Sequence, residues 1–130
     1  MKTRMMKVRG RKRAAFTLVE IMIVVAIIGV LAVMAIPRFV KARKQSQGRR
    51  VVNDVRQLDS AISQWAMETS QRDGATINTT ASATYLKAAW RTTDVLGYQY
   101  ALGTVGTNQI SIASTTKSAL SGVGIDWGAY

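Results

Sequence analysis

The sequence predicts an α+β fold in which a long N-terminal α-helix, one half for the membrane and one half amphipathic, packs on a small head with an antiparallel sheet. Three observations predict it: an apolar run at residues 16–36, a helical apolar period after it, and alternating strand patterns towards the C-terminus. A chain of 130 residues has room for one small domain and an anchor. The predicted segments are a basic leader at 1–15, an apolar helix at 16–37, an amphipathic helix at 38–69 and a globular head at 70–130.

The leader concentrates the positive charge of the chain. Residues 1–15 hold seven of the eighteen Lys and Arg residues and no acidic residue. Without them, eleven basic and seven acidic residues remain, a net charge of +4 instead of +11. A basic segment in front of an apolar one predicts that the leader stays in the cytoplasm and that the C-terminal part lies outside.

The apolar run from Phe16 to Ile36 has 21 residues, of which only Thr17 and Glu20 are neither apolar nor glycine. As a helix it would be roughly 30 Å long, the thickness of the hydrocarbon core of a bilayer. A buried helix of a soluble protein fits poorly, because so short a chain offers few apolar neighbours. A cleaved secretory signal ending near Val33-Met34-Ala35 is the alternative, although its apolar region usually has only about 7 to 15 residues.

Two residues are expected to weaken this helix. Pro37 has no amide hydrogen and its ring clashes with the preceding turn, so it is expected to kink or locally melt the helix. Gly29 lowers the helix propensity further. Close packing of helices is the alternative explanation for the glycine.

The segment after Pro37 is predicted to continue the same helix in amphipathic form. Five apolar residues at spacings of four, three, four and three share one face, which is expected to pack on the head: Val51, Val55, Leu58, Ile62 and Trp65. A basic cluster precedes them, formed by Arg38, Lys41, Arg43, Lys44, Arg49 and Arg50. It is interpreted as a solvated face or as a contact for acidic lipid headgroups or acidic neighbours. DNA binding is not favoured, because Phe39 is the only stacking aromatic nearby.

The head is predicted from turn signals and short alternating runs. Gly74 is expected to cap the long helix, and a short helix is expected at residues 85–90. Strands are expected at 98–102 and 109–113, joined by a hairpin loop. A helical turn at 114–120 and a last short strand at 125–127 would complete the head.

Glu20 is the residue that most needs an explanation. A carboxylate near a bilayer is costly and needs a partner, and no Lys or Arg lies within the apolar run. If the chain were cut before Phe16, Glu20 would lie one helical turn from a new α-amino group. The carboxylate could then pair with the amine of an adjacent copy. Alternatively, Glu20 reaches towards water from the membrane interface.

Composition gives no support for an enzyme. The chain has neither Cys nor His, which removes thiolate metal sites and the commonest general base. The remaining Ser, Thr, Lys and Asp residues show no spacing of a catalytic triad, a phosphate loop or a zinc site.

The sequence Ala15-Phe16-Thr17-Leu18-Val19-Glu20, between a basic leader and an apolar run, resembles the processing site of type IV prepilins and of the pseudopilins of type II secretion. The resemblance is close over residues 11–40 and includes Pro37. It implies cleavage between Ala15 and Phe16 by a prepilin peptidase and N-methylation of Phe16. The family usually has Gly before the cut, so Ala15 is a departure, although a small residue is kept.

The resemblance further implies a structural filament subunit. Phe16, Glu20, Gly29 and Pro37 would serve filament assembly, with Glu20 setting the register between subunits. The implied partners are copies of the chain, other minor pilins, the prepilin peptidase, an inner-membrane assembly platform with its ATPase, and membrane lipid before assembly. The precursor would be a single-pass inner-membrane protein, and the filament periplasmic or extracellular. Absence of Cys and a short head favour a pseudopilin or a small cysteine-free pilin.

Calcium is the one cofactor that the resemblance suggests, since major pseudopilins often bind it in their heads. Asp94, Asn108 and Asp126 carry hard oxygen ligands on expected loops. Three oxygens fall short of the six or more that Ca²⁺ takes, and ordinary turn residues are the alternative. Two other classes of protein remain open: an uncleaved single-pass anchored binding protein, and a small secreted protein released by signal peptidase.

Overall fold

The computed structural model describes residues 15–130 and has the predicted α+β composition. The predicted leader, apart from Ala15, lies outside the described residues. In chain order, the elements are α1 (Leu18–Glu68), α2 (Thr79–Ser82), a 3₁₀ helix (Ala83–Tyr85), β1 (Ala101–Thr104), β2 (Thr107–Ser111) and α3 (Ser114–Ala119). The chain divides into two compact units, with the boundary between Pro37 and Arg38.

The first unit consists of the apolar half of α1. Its side chains are exposed from residue 15 to residue 37, with Ala32 alone half-buried. The helix is not interrupted at Gly29 or at Pro37, so the predicted local melting at the proline is absent from this structure. A proline removes one backbone hydrogen bond from a helix, and the remaining bonds of the neighbouring turns hold the helical conformation here.

The second unit, Arg38–Tyr130, contains the core. The predicted apolar stripe of α1 is buried throughout, from Val51 to Trp65. It forms one cluster in which Val55 and Leu58 pack with Ile110 and Leu120. A second cluster joins Ile62 and Trp65 to residues of the loops. Spacings of three and four residues put these side chains on one face, and burial of that face holds the helix on the head.

The sheet is a two-stranded antiparallel hairpin in which Leu102 pairs with Ile110 and Thr104 pairs with Thr107. The strands reach further into the predicted loop than expected, and they leave only Val105 and Gly106 at the turn. A Cβ atom on Gly103 would lie 2.1 Å from the carbonyl oxygen of Asn108. Glycine at this position therefore permits the close approach of the two strands.

Helix α1 ends before the predicted cap. The amide of Gln71 donates to the carbonyl of Ala66 at 2.8 Å, and the amide of Ser70 donates to the carbonyl of Met67 at 3.3 Å. Ser70 has a φ of 52°, so it takes the left-handed position of a Schellman motif. The prediction that Gly74 is the cap is wrong: its φ of 85° serves the next turn, where its amide donates to the carbonyl of Val105.

Two further elements differ from the prediction. The short helix lies at 79–85 and not at 85–90, because Asn78 caps it by accepting a hydrogen bond from the amide of Ala81. The predicted strand at 125–127 is not a strand, since Gly122 and Gly124 take positive φ values and turn the chain. The predicted helical turn after residue 113 is confirmed as α3.

The C-terminal segment lies directly on α1. The side chain of Gln45 donates to the carbonyl of Val123 at 3.1 Å, and Ile125 covers the buried Gly48. A Cβ atom at position 48 would lie 1.9 Å from Cδ1 of Ile125 and 2.8 Å from its Cγ1. The absence of a side chain on Gly48 therefore allows the segment to pack against the helix.

Candidate processing and assembly segment

The segment around the Ala15–Phe16 bond lies outside the regular helix. Residues 15–17 are not helical, and α1 begins at Leu18. Thr17 is its N-cap: Oγ1 accepts the amide of Glu20 at 3.2 Å, and its carbonyl accepts the amide of Ile21 at 3.3 Å. An N-cap threonine satisfies a donor that the first turn of a helix leaves without a partner.

Thr17 is a functional candidate that the sequence reasoning missed. The spacing Thr-x-x-Glu from Thr17 to Glu20 is the pattern of a capping box, which marks the start of a helix. Recognition of that pattern would have predicted a helix that begins two residues after the Ala15–Phe16 bond. Residues 15–17, in front of this cap, are thus exposed and non-helical.

Glu20 lies in the first turn of α1 with its side chain exposed. A negative charge there is favoured by the helix dipole. The described part of the apolar half contains no Lys or Arg, and the only ion pair among residues 15–130 joins Arg91 to Asp54. Among the described residues, Glu20 therefore forms no ion pair.

The apolar side chains around Glu20 are also exposed to solvent. Phe16 is 77% exposed and Leu18 is 76% exposed, and no other described part of the chain covers them. A Cβ atom on Gly29 would meet no atom within 4 Å, so packing within the single chain does not require this glycine. By length and composition, α1 contains a stretch able to cross a membrane. So large an exposed apolar surface is typical of a segment that lipid or other protein covers.

The N-terminal part of the chain is similar to known proteins. Residues 10–36 match the family model described as the prokaryotic N-terminal methylation motif. The type IV major fimbrial protein FimA of Dichelobacter nodosus is 42% identical over 67 residues, which cover 52% of this chain and 42% of that protein. The N-terminal half of the chain is therefore similar to type IV pilins and pseudopilins and carries their methylation motif.

Other proteins similar to this chain are secretion proteins. The type II secretion system core protein G of Klebsiella michiganensis is 32% identical over 63 residues, which cover 48% of this chain and 44% of that protein. The protein of the same name from Vibrio cholerae is 32% identical over 60 residues, which cover 46% and 41%. The matches thus span less than half of the length of these relatives. Their names are those of a major fimbrial protein and of a secretion-system core protein and not of enzymes, in agreement with the prediction. No solved structure matches the chain.

The three calcium candidates in the head each have a local structural role. Asp94 is buried, accepts the amides of Leu96 and Tyr98 at 2.8 and 3.0 Å, and accepts the hydroxyl of Thr116. Asn108 has a φ of 49°, next to the hairpin turn. Asp126 accepts the amide of Gly128 at 2.9 Å. Within residues 15–130, no three His, Cys, Asp or Glu side chains come together in a group that could hold a metal ion.

A buried polar cluster next to the hairpin was also missed by the sequence reasoning. The hydroxyl of Tyr100 and Oδ2 of Asp54 are both buried, and neither has a hydrogen-bond partner among the described residues. Nη1 of Arg91 lies 3.8 Å from Oδ2 of Asp54. Burial raises the pKa of Tyr100 to about 12, and the negative charges of Asp54 and Asp94 add to the shift. Alternation in the sequence predicted a strand here but gave no sign that this hydroxyl would be buried.

We expect alkaline pH to reveal this cluster. The pKa of Tyr100 is raised from 10.0 to about 12, so its contribution to stability is complete below pH 10 and is lost as the pH rises to about 12. Equilibrium unfolding of the full chain in detergent, compared with Tyr100→Phe, isolates this effect because other Tyr and Lys residues titrate in both proteins. Between pH 9 and pH 12, the parent should lose on the order of 1 kcal/mol more than the variant, allowing for solvent screening.

The same variant tests the buried hydroxyl at neutral pH. Because Tyr100→Phe removes a buried donor that has no partner, the variant should be as stable as the parent or more stable, by about 1 kcal/mol. A variant that is clearly less stable at pH 7 would mean that the hydroxyl does have a partner in solution. Equal pH dependence of the two proteins would contradict the raised pKa.

Proposed function

We propose that the chain is a structural subunit of a type IV pilus-like filament or of a type II secretion pseudopilus. In this proposal the precursor is cut between Ala15 and Phe16, and the new amine of Phe16 is methylated. The observation that carries the proposal is the position of this bond in an exposed, non-helical segment, directly in front of a capped helix whose apolar half is exposed. Recognition by a prepilin peptidase would need both features.

The apolar half of α1 is proposed to have two successive environments. Its 21-residue run matches the thickness of a bilayer, so lipid covers it in the precursor. In the filament, the same surface packs on copies of itself, which buries apolar area of comparable size. Gly29 and Pro37 are proposed to serve assembly because local opening of the helix at these positions is possible where neighbouring subunits surround the backbone.

Glu20 is proposed to set the register of the subunits. After cleavage it lies one helical turn from the amine of Phe16, and no cation of the described apolar half competes for it. Within an apolar packing, an unpaired carboxylate is costly, so the arrangement that pairs it with the amine of an adjacent copy is favoured over other arrangements. A single acidic residue in an apolar helix thereby fixes the axial position of each subunit relative to its neighbour.

The partners and the location follow from the same proposal. The precursor lies in the inner membrane with its leader in the cytoplasm, since the leader carries seven cations. A prepilin peptidase, an inner-membrane assembly platform with its ATPase, and other minor pilins act on it or with it. The filament is then periplasmic or extracellular. The relatives that are named for fimbriae and for type II secretion support the two variants of the proposal equally.

Intact mass with N-terminal peptide mapping, on protein from native membranes or from sheared filaments, tests the proposal. We expect a chain that starts at Phe16 and carries a methyl group on its amine. A chain that starts at Met1 would favour an uncleaved anchored protein. It would also indicate that Ala15, in place of Gly, prevents the cleavage. A chain that starts near Ile36 would identify a secreted protein and would overturn the filament model.

A control separates a poor cleavage site from a wrong proposal. In Ala15→Gly, the residue usual for the family stands before the cut. If the parent is cut incompletely and this variant is cut fully, the peptidase recognises the chain and Ala15 only slows the reaction. If neither protein is cut, the proposed processing is wrong.

A further inference from the structure

We propose that Arg38, Lys41, Arg43 and Lys44 form a basic collar that binds the headgroups of anionic phospholipids where α1 leaves the membrane. The proposal rests on the membrane anchoring of the precursor that is proposed above. It goes beyond filament assembly, because it assigns the chain a preference for one class of lipid. The four side chains lie in the second unit, within α1.

The collar surrounds the helix and does not form a stripe. At about 100° per residue, Arg43 lies roughly 140° and Lys44 roughly 240° around the helix axis from Arg38, and Lys41 lies roughly 300° from it. Cations on all sides suit a helix that emerges through a layer of headgroups. A nucleic acid or a partner helix would contact one side only, and would leave the opposite cations without a counter-charge.

The height of the collar also fits a headgroup layer. From Arg38 to Lys44 the helix rises by about 9 Å. One polar layer of a bilayer is roughly 5–8 Å deep, the difference between total and hydrocarbon thickness divided between two faces. The collar begins two residues after Ile36, the last residue of the apolar run. The first contact of α1 with the C-terminal segment comes just beyond the collar, where Gln45 bonds to the carbonyl of Val123.

The collar is accessible and has no counter-ion within the described residues. Arg38, Lys41 and Arg43 are exposed, and Lys44 is half-buried. No acidic residue lies between Glu20 and Asp54 in the sequence, and the only ion pair of the described residues is the one between Arg91 and Asp54. The positive charge of the collar is therefore available to an external anion.

Copies of the same chain carry too little negative charge to supply that anion. Of the seven acidic residues, Asp94 is buried and Asp54 pairs with Arg91. Asp59 accepts a hydrogen bond from Tyr130 and Glu68 accepts one from Tyr85. The chain without its leader still has a net charge of +4, so packing copies together does not neutralise the collar. Anionic headgroups, which lie at the end of the apolar run, supply the missing charge.

The cations of the collar also disfavour the proposed orientation of the chain in the membrane. Counted over the flanks of the apolar run, six cations at residues 38–50 stand against the seven of the leader. The positive-inside rule disfavours cations on the outer side. A contact of the collar with anionic lipid, worth about a five-fold change in affinity for each cation near the surface, would compensate for this.

The test is a lipid-selectivity measurement on the full chain in vesicles. The chain has no Cys, so a single Cys in place of the exposed Ala42 can carry a dye within the collar. Phosphatidylglycerol or phosphatidylcholine with a nitroxide next to the glycerol, added as a minor component, quenches the dye when it is adjacent. The ratio of the two quenching efficiencies gives the preference for the anionic headgroup. The cations of the leader precede the apolar run and therefore lie on the opposite side of the bilayer from the dye. They do not affect this readout.

We expect the parent to prefer phosphatidylglycerol by at least about five-fold. The preference should be at least about five-fold weaker than that of the parent in Lys41→Gln with Arg43→Gln, since two exposed cations are lost. The matched control, Arg72→Gln with Lys87→Gln, removes two exposed cations of the head and should keep the parental preference. Salt tests the parent without mutation: between about 0.1 M and 1 M, the screening length falls from about 10 Å to 3 Å, so the preference should weaken.

Three results would overturn the proposal. The first is a parental preference below about two-fold, and the second is an equal loss in the collar variant and in the control. The third is that the parent shows no lipid preference but binds a short DNA duplex at the same salt concentration, while the collar variant does not bind the duplex. This result would assign the collar to nucleic acid. None of these measurements requires cleavage or polymerisation, so they leave the proposed filament function untouched.

Discussion

Glu20→Ala is expected to insert into the membrane normally and to form almost no filament. Insertion depends on the apolar run, which the substitution makes more apolar. Assembly depends on the proposed pairing of Glu20 with the amine of Phe16 in an adjacent copy. Removal of one partner of a buried pair leaves the other charge without compensation, which costs several kcal/mol, so the yield of filament should fall by at least about ten-fold.

The measurement is the amount of the chain in sheared filaments relative to the amount in membranes, determined by quantitative mass spectrometry. Glu20→Gln keeps the shape of the side chain and should behave like Glu20→Ala, since the charge is the active feature. Glu68→Ala removes an exposed acidic residue from the other end of the same helix and should assemble like the parent. If Glu20→Ala formed as much filament as the parent, the proposed pairing would be wrong.

Gly48→Ala is expected to give the largest loss of stability in the second unit. The new Cβ atom would lie 1.9 Å from Cδ1 and 2.8 Å from Cγ1 of Ile125, so the whole side chain has to move. Overpacking of this kind costs about 1–3 kcal/mol and outweighs the gain of at most about 1 kcal/mol in helix propensity. Thermal unfolding of the full chain in detergent, followed by tryptophan fluorescence, should show a lower midpoint.

A double substitution separates the contact from a general effect on the helix. In Gly48→Ala with Ile125→Ala, the clash is removed, so the cost of Gly48→Ala should be much smaller in the Ile125→Ala background than in the parent. Gly29→Ala is the matched control, because its Cβ atom would meet nothing within 4 Å and the unfolding midpoint should not fall. Equal stability of Gly48→Ala and the parent would contradict the close contact with Ile125.

The sequence by itself determined the features that depend on neighbouring residues. Charge and hydropathy defined the leader and the apolar run, and the stripe from Val51 to Trp65 predicted the buried face of α1. Alternation predicted both strands of the hairpin to within a few residues. The segment from Ala15 to Glu20 indicated the resemblance to type IV prepilins, because charge boundary, small residue and acid occur there at fixed spacing, and it lies within the matched methylation motif. Such patterns are local, and helix and strand periods can be read directly from them.

Tertiary structure decided the features that depend on distant parts of the chain. The contact of Ile125 with Gly48 replaced the predicted last strand, and a hydrogen-bonded turn at Ser70 ended α1 before the glycine expected to cap it. The burial of the Tyr100 hydroxyl likewise follows from packing between residues far apart in the sequence. The energies that separate alternative turns and caps are about 1 kcal/mol or less, which is smaller than the packing energy of one buried side chain. Packing between distant segments therefore overrides local preference at these positions, and no local pattern records it.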